Sequence, residues 1–229
     1  MISEPHQKTI SVNGDALVLR KPDLAYITIF IQSDGILLED AVKEGAGKVD
    51  QIQRALRETY AEIRDIQIKD IHVGEVKPTI GFGVRDKSNS PRPEVTKTLL
   101  ITIPPNPELA VKIVDTACRM GCSIGNPTES HGGSAHSVIL YALAEPTQAH
   151  QEATTRAIAA AKEKASRIAK TVEKDLGSIK SVSAMDSFLS DDFFRRHQNP
   201  VIARARYVSA SPDGVEVRAN VSVVFELMD

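Results

Sequence analysis

Four residues have types and spacing that could do chemistry. Cys118, Cys122, His131 and His136 form the pattern C-x3-C-x8-H-x4-H. Two thiolates and two imidazoles can complete a tetrahedral zinc site. The gap between the two pairs is shorter than in the common finger. Cys118 also falls four residues after Val114, on what reads as an apolar helix face. A free cysteine there packs as a small hydrophobe. The histidines flank Gly132-Gly133-Ser134, a turn in which polar residues are expected without any ligand role. The reading taken is therefore a core cysteine and loop histidines, with zinc binding or a metal-dependent enzyme as an alternative.

Other constellations carry less. Ser134 and His136 are close in sequence, but a nucleophile and its base are recognised by geometry rather than by nearness along the chain. The glycines at 121, 125, 132 and 133 fit neither phosphate-binding fingerprint. Asp186, Asp191 and Asp192 could offer oxygen ligands to a divalent cation, yet they read better as a solvated acidic loop. Asn220-Val221-Ser222 is a glycosylation sequon inside an expected strand, and is discounted. No catalytic set emerges, so the expectation is a protein that is not an enzyme and needs no cofactor.

The best interaction candidates are Phe188, Phe193 and Phe194, with Arg195 beside them. Each phenylalanine is worth roughly 1.5–3 kcal/mol when taken out of water. Lying among Asp191, Asp192 and Arg196, they either fold back onto their own domain or pack into a neighbouring subunit or partner.

Composition narrows the classes. The 229 residues suffice for a sizeable core, with 41% hydrophobic and 25% charged residues. The net charge is −2, without a basic patch, so no nucleic acid is expected as partner. No apolar run approaches the ~20 residues of a membrane span. Met1 to Lys8 is polar and lacks the apolar core of a signal peptide; the chain reads as cytoplasmic, or as periplasmic or secreted if a signal was removed. Two cysteines are too few for a disulfide framework. With no Trp and 4% aromatic residues, stacking platforms for bases or sugars are not expected.

The elements that would position these residues alternate between strands and helices. Thr9 to Val12 and Ala16 to Leu19 read as short strands around an Asn13-Gly14 turn. Leu24 to Ser33 reads as a strand covered on both faces. From Ile36 to Tyr60 a helix is expected, with a seam of Leu38, Val42, Gly45, Val49, Ile52 and Leu56. Ile63 to Ile80 is strand-like with a slipped phase: by simple alternation Ile66 and Ile68 point one way, Ile71 and Val73 the other. A bulge or break near Lys69-Asp70 would account for this. Val95 to Ile103 is a strand. Asn106-Pro107-Glu108 opens a helix that Gly121 ends. Val138 to Leu143 is a strand. Pro146 opens the longest helix, lined by Ala149, Ala153, Ala157, Ala160, Ala161, Ala165 and Ala169, with Leu176-Gly177 as its stop. Ser178 to Ala184 is a strand. Val215 to Leu227 alternates cleanly, apolar at odd positions. Paired antiparallel strands alternating with three helices favour an α+β fold with the helices packed on sheet.

These residues resemble a known family. Ile10-Ser11-Val12-Asn13-Gly14 followed by Lys21-Pro22-Asp23-Leu24-Ala25 is similar to the opening of the SIMPL-domain family, named for a signalling adaptor that associates with a pelle-like kinase and widespread in bacteria. Ala41, Asp65-Ile66, Ala117 to Gly121, the alanines of the long helix and Leu176-Gly177 follow in order. Gly214 to Val217 through Val223 to Leu227 resembles the closing strand. Ala61-Glu62 stands where that family usually has a glycine. The resemblance implies one SIMPL-like domain over 9–229 after a flexible 1–8, and leaves open two sub-lobes at about 9–104 and 105–229. Some relatives form large ring-like or barrel-like oligomers, and no catalytic residues are established among them. The expected function is that of a non-enzymatic, self-assembling homo-oligomer acting as scaffold or shell. The alternative is an adaptor that binds a protein partner.

Overall fold

The computed structural model describes residues 8–76, 92–125, 138–185 and 207–228. The elements run β1 (Thr9–Arg20), β2 (Leu24–Asp34), α1 (Leu38–Thr59), β3 (Asp65–Val76), β4 (Arg92–Ile103), α2 (Pro107–Arg119), β5 (Ile139–Ala142), α3 (Thr147–Thr171), β6 (Asp175–Met185), β7 (Val208–Ser209) and β8 (Val215–Met228). They make two antiparallel sheets, ordered β1-β8-β6 and β3-β4-β2-β5-β7. Helix α3 packs on β1 and β8; α1 packs on β2 and β4; α2 packs on β2. This is the α+β arrangement that the alternating strand and helix patterns imply.

The strongest local patterns become the best-formed elements. In β8, Val217, Ala219, Val221, Val223 and Phe225 are buried beneath α3, Val215 is buried at the strand's start, and the intervening residues face outward. Asn106 Oδ1 accepts from the Leu109 N–H at 3.1 Å and caps α2. Helix α2 ends in a Schellman turn: Gly121 takes φ +86°, the Cys122 N–H donates to Ala117 O, and the Gly121 N–H donates to Cys118 O.

Three expectations are corrected. Asn13-Gly14 is not a turn; β1 runs through it, with Asn13 opposite Ser222 and Gly14 opposite Val221. The glycine is there because α3 passes too close for a side chain. Secondly, Leu176-Gly177 does not stop α3. The helix closes at Glu173, in the left-handed region at φ 54°, and Leu176-Gly177 lies inside β6. Thirdly, the buried stripe of α1 is Ala41, Gly45, Val49, Ile52 and Leu56, while Leu38 and Val42 are exposed. Ala41 precedes Gly45 by one turn on the line that faces the sheet, and Val42 is rotated off it.

The bulge does lie at Lys69: the pairing of β3 with β4 shifts between Ile68 and Asp70. Its effect is to return Ile71 and Val73 to the face of Ile66 and Ile68. These four pair with Lys97, Val95, Ile101 and Leu99 respectively, all on the α1 side of β4.

The two sheets contain the same unit twice. Strand β2, helix α1, then β3 and β4 give the order β3-β4-β2; β1, α3, β6 and β8 give β6-β8-β1. Registers agree as well: Ser33↔Val95, Ile31↔Lys97 and Ile29↔Leu99 match Gly14↔Val221, Val12↔Val223 and Ile10↔Phe225. Both third strands carry a bulge at a lysine, in Ile68-Lys69-Asp70-Ile71 and Ile179-Lys180-Ser181-Val182.

Candidate functional site

Cys118 and Cys122 are placed differently from the sequence expectation. Cys118 is exposed, and Cys122 is buried. The apolar stripe of α2 is Leu109, Ala110, Ile113 and Ala117, so the next residue, Cys118, is turned about 100° away toward water. It is the Schellman turn that carries Cys122 into the core beside Ala117. Burial, and then the neighbouring Cys118, push the Cys122 thiol up to about 11. A thiol in that state is a poor nucleophile and a poor metal ligand. His131 and His136 lie outside the described residues, as do Ser134, Asp186, Asp191 and Asp192. Among the described residues no group of three or more His, Cys, Asp or Glu is placed to hold a metal ion. Phe188, Phe193, Phe194 and Arg195 also lie outside the described residues.

What the described residues do present is a pair of edge strands that leave apolar side chains in water. β3 ends the five-stranded sheet, and β6 ends the three-stranded one. Helix α1 packs on β4 and β2, leaving the outer part of β3 bare. There Ile68, Ile71 and Val73 are 44, 55 and 52% exposed; on β6, Ile179 and Val182 are both 46% exposed. Long edge strands with branched apolar side chains are templates for another strand, because their outer N–H and C=O groups have no partner within the sheet. No local pattern marks this, since whether a strand is an edge depends on sheet order.

A second irregularity sits beside β3. Lys97 of β4 is only 6% exposed and has no hydrogen bond or ion pair among the described residues. Its counterpart in the other repeat is Val223, which is fully buried. The lysine stem passes Gly45 of α1: a β-carbon on Gly45 would lie 3.5 Å from Lys97 Cε and 2.6 Å from Ser33 Oγ. Ser33 Oγ itself donates to Ala41 O at 2.8 Å.

Residues 10–225 match SIMPL, described as a protein of unknown function (DUF541). The chain belongs to the SIMPL family. No curated protein matches it. The match takes in both repeats and every helix, so SIMPL membership describes the whole two-sheet unit rather than one half of it. No helix among the described residues is long and apolar enough to cross a membrane.

Proposed function

We propose that this SIMPL chain acts by assembly rather than by catalysis, as an oligomeric scaffold or shell. The observation that carries the reading is a pair of edge strands whose outer edges have no strand partner among the described residues. β3 and β6 hold equivalent places in the two repeats, and each leaves branched apolar side chains in water. Exposed apolar surface of this kind is usually an interface, and an edge strand adds backbone hydrogen bonds to it.

Native mass spectrometry on untreated protein, with light scattering across a concentration series, tests this. The expected result is a mass at a fixed multiple of the 24.9 kDa chain, without a stoichiometric adduct. A monomer at every concentration overturns assembly and favours an adaptor that meets a different protein. One metal ion per chain would favour instead a metal-binding protein that uses Cys118, Cys122, His131 and His136.

A further inference from the structure

The segment Ile66 to Val73 of β3, exposed from Gln67 onward, is self-complementary. Read outward from the bulge, Lys69 stands next to Asp70, Ile68 mirrors Ile71, Gln67 mirrors His72, and Ile66 mirrors Val73. Cation mirrors anion, apolar mirrors apolar and polar mirrors polar. Two copies laid antiparallel along this segment would put each residue opposite one of its own kind or of opposite charge.

Such a palindrome is useless in a regular strand. Residues facing each other across an antiparallel pair must lie on the same face of the sheet, and in an unbroken strand residues three, five or seven apart do not. The bulge removes the obstacle. The pairing with β4 puts Ile66, Ile68, Ile71 and Val73 on one face and Gln67, Asp70 and His72 on the other. The three outer mirrored pairs therefore each share a face, and the symmetry axis falls on the one place where the phase changes, between the bulge residue Lys69 and Asp70.

Lysines on edge strands ordinarily block pairing with arbitrary strands. Lys69 would do so here, except against a strand that brings an acid to the same position. A second β3 brings Asp70. The contact is isologous, with residue i meeting j and j meeting i, as a closed two-fold interface requires.

We propose that segment Ile66–Val73 of β3 pairs antiparallel with the same segment of a second copy, about a two-fold axis through the Lys69-Asp70 bulge. This rests on the assembly reading above and names its surface. β6 lacks the charge pair, having Lys180-Ser181 at the equivalent bulge, so it does not make the same contact with itself.

The test uses full-length chain. Lys69→Asp and Asp70→Lys each place like charges across the axis, and each should lower the dimer fraction at least tenfold by light scattering. The double variant Lys69→Asp/Asp70→Lys restores the complement and should recover it. In a Cys118→Ser background, Gln67→Cys and His72→Cys are purified separately. Mild oxidation should cross-link a mixture of the two and leave each one alone uncrosslinked. Assembly that persists through both single charge swaps, with no cross-link in the mixture, overturns the β3 interface while leaving self-assembly standing. A wild-type chain that stays monomeric overturns both.

Discussion

Gly14 of β1 lies so close to Ala157 of α3 that a β-carbon on the glycine would sit 2.1 Å from the Ala157 carbonyl oxygen and 2.8 Å from the Ala161 Cβ. The neighbours are helix backbone, which cannot rotate aside. Strand and helix meet here at the closest approach of the three-stranded sheet, and the alanine stripe of α3 exists to permit it. Gly14→Ala must push the helix off the sheet, and should cost at least 1–3 kcal/mol, the usual penalty of overpacking. Urea denaturation measures it; a loss below about 0.5 kcal/mol would show that the contact is slack.

The other repeat solves the same crossing with the glycine on the helix. Ser33 stands where Gly14 does, and Gly45 answers Ala161. A β-carbon on Gly45 meets only Ser33 Oγ closely, at 2.6 Å, with Ser33 Cβ at 3.5 Å. Gly45→Ala should therefore destabilise the wild type, yet be neutral or stabilising in a Ser33→Ala background. There the hydroxyl is gone and the helix gains about 1 kcal/mol from losing an interior glycine. Equal effects of Gly45→Ala in the two backgrounds would refute this coupling.

Much of the fold is legible locally, and the failures share a cause. The alternation of β8, the Asn106 cap and the bulge at Lys69 are all written within a few residues of where they act. Gly14 reads as a turn because the residue that requires it, Ala157, is far away in sequence. Leu176-Gly177 reads as a helix stop because the real stop, Glu173, uses a residue rarely found at positive φ. Among candidate sites, Cys118 and Cys122 are noticed by spacing, but which of the two is buried depends on a turn. The mirrored segment Ile66–Val73 is plain in the sequence and means nothing until the bulge and the edge position are known together.

Lys97 stands where the other repeat has Val223, and no ion pair compensates it among the described residues. A buried charge without a partner costs more than an apolar group of the same shape. Lys97→Met keeps the stem and should raise stability by about 1 kcal/mol. The reciprocal Val223→Lys, under the tightly packed α3, should cost more than about 3 kcal/mol. Thermal and urea melts check both; a destabilised Lys97→Met would mean that the ammonium stabilises the fold where it stands.

Glu173 closes α3 at φ 54°, a conformation that costs an L side chain roughly 1 kcal/mol. The Lys174 N–H still reaches Ala169 O at 3.0 Å, so the Schellman turn is complete and only the residue type is unfavourable. Glu173→Gly should stabilise by up to about 1 kcal/mol, while Glu173→Ala, which keeps the strain, should not. Similar melts for the two would remove the backbone explanation.

Cys118 and Cys122 should differ sharply in reactivity. With its thiol raised to about 11 by burial and by Cys118, Cys122 is ionised in only about a thousandth of molecules at pH 8. A disulfide reagent should consume one thiol per native chain quickly, and the second only in denaturant. Cys118→Ser should abolish the fast phase. Two equal native phases would contradict the buried position of Cys122.

Glu226 of β8 offers a pH test at the edge-strand junction. Its carboxylate accepts from Lys180 at 3.1 Å and from Ser178 Oγ at 3.2 Å. The Lys180 hydrogen bond, then that from Ser178, hold its pKa below the usual glutamate value. A carboxyl depressed in the folded state contributes stability that is fully present above its unfolded pKa, near 4.5, and is lost as pH falls through the folded value. Lys180 is the bulge residue of β6, so the pair also ties that bulge to the central strand. In a carboxylate titration followed by NMR, the Glu226 midpoint should rise in Lys180→Met, and by less in Ser178→Ala. The same Lys180→Met variant should flatten the decline of urea midpoint below pH 4.5 and leave the midpoint's pH dependence near neutrality unchanged. An unmoved Glu226 titration in Lys180→Met would mean that the lysine does not hold the carboxylate in solution.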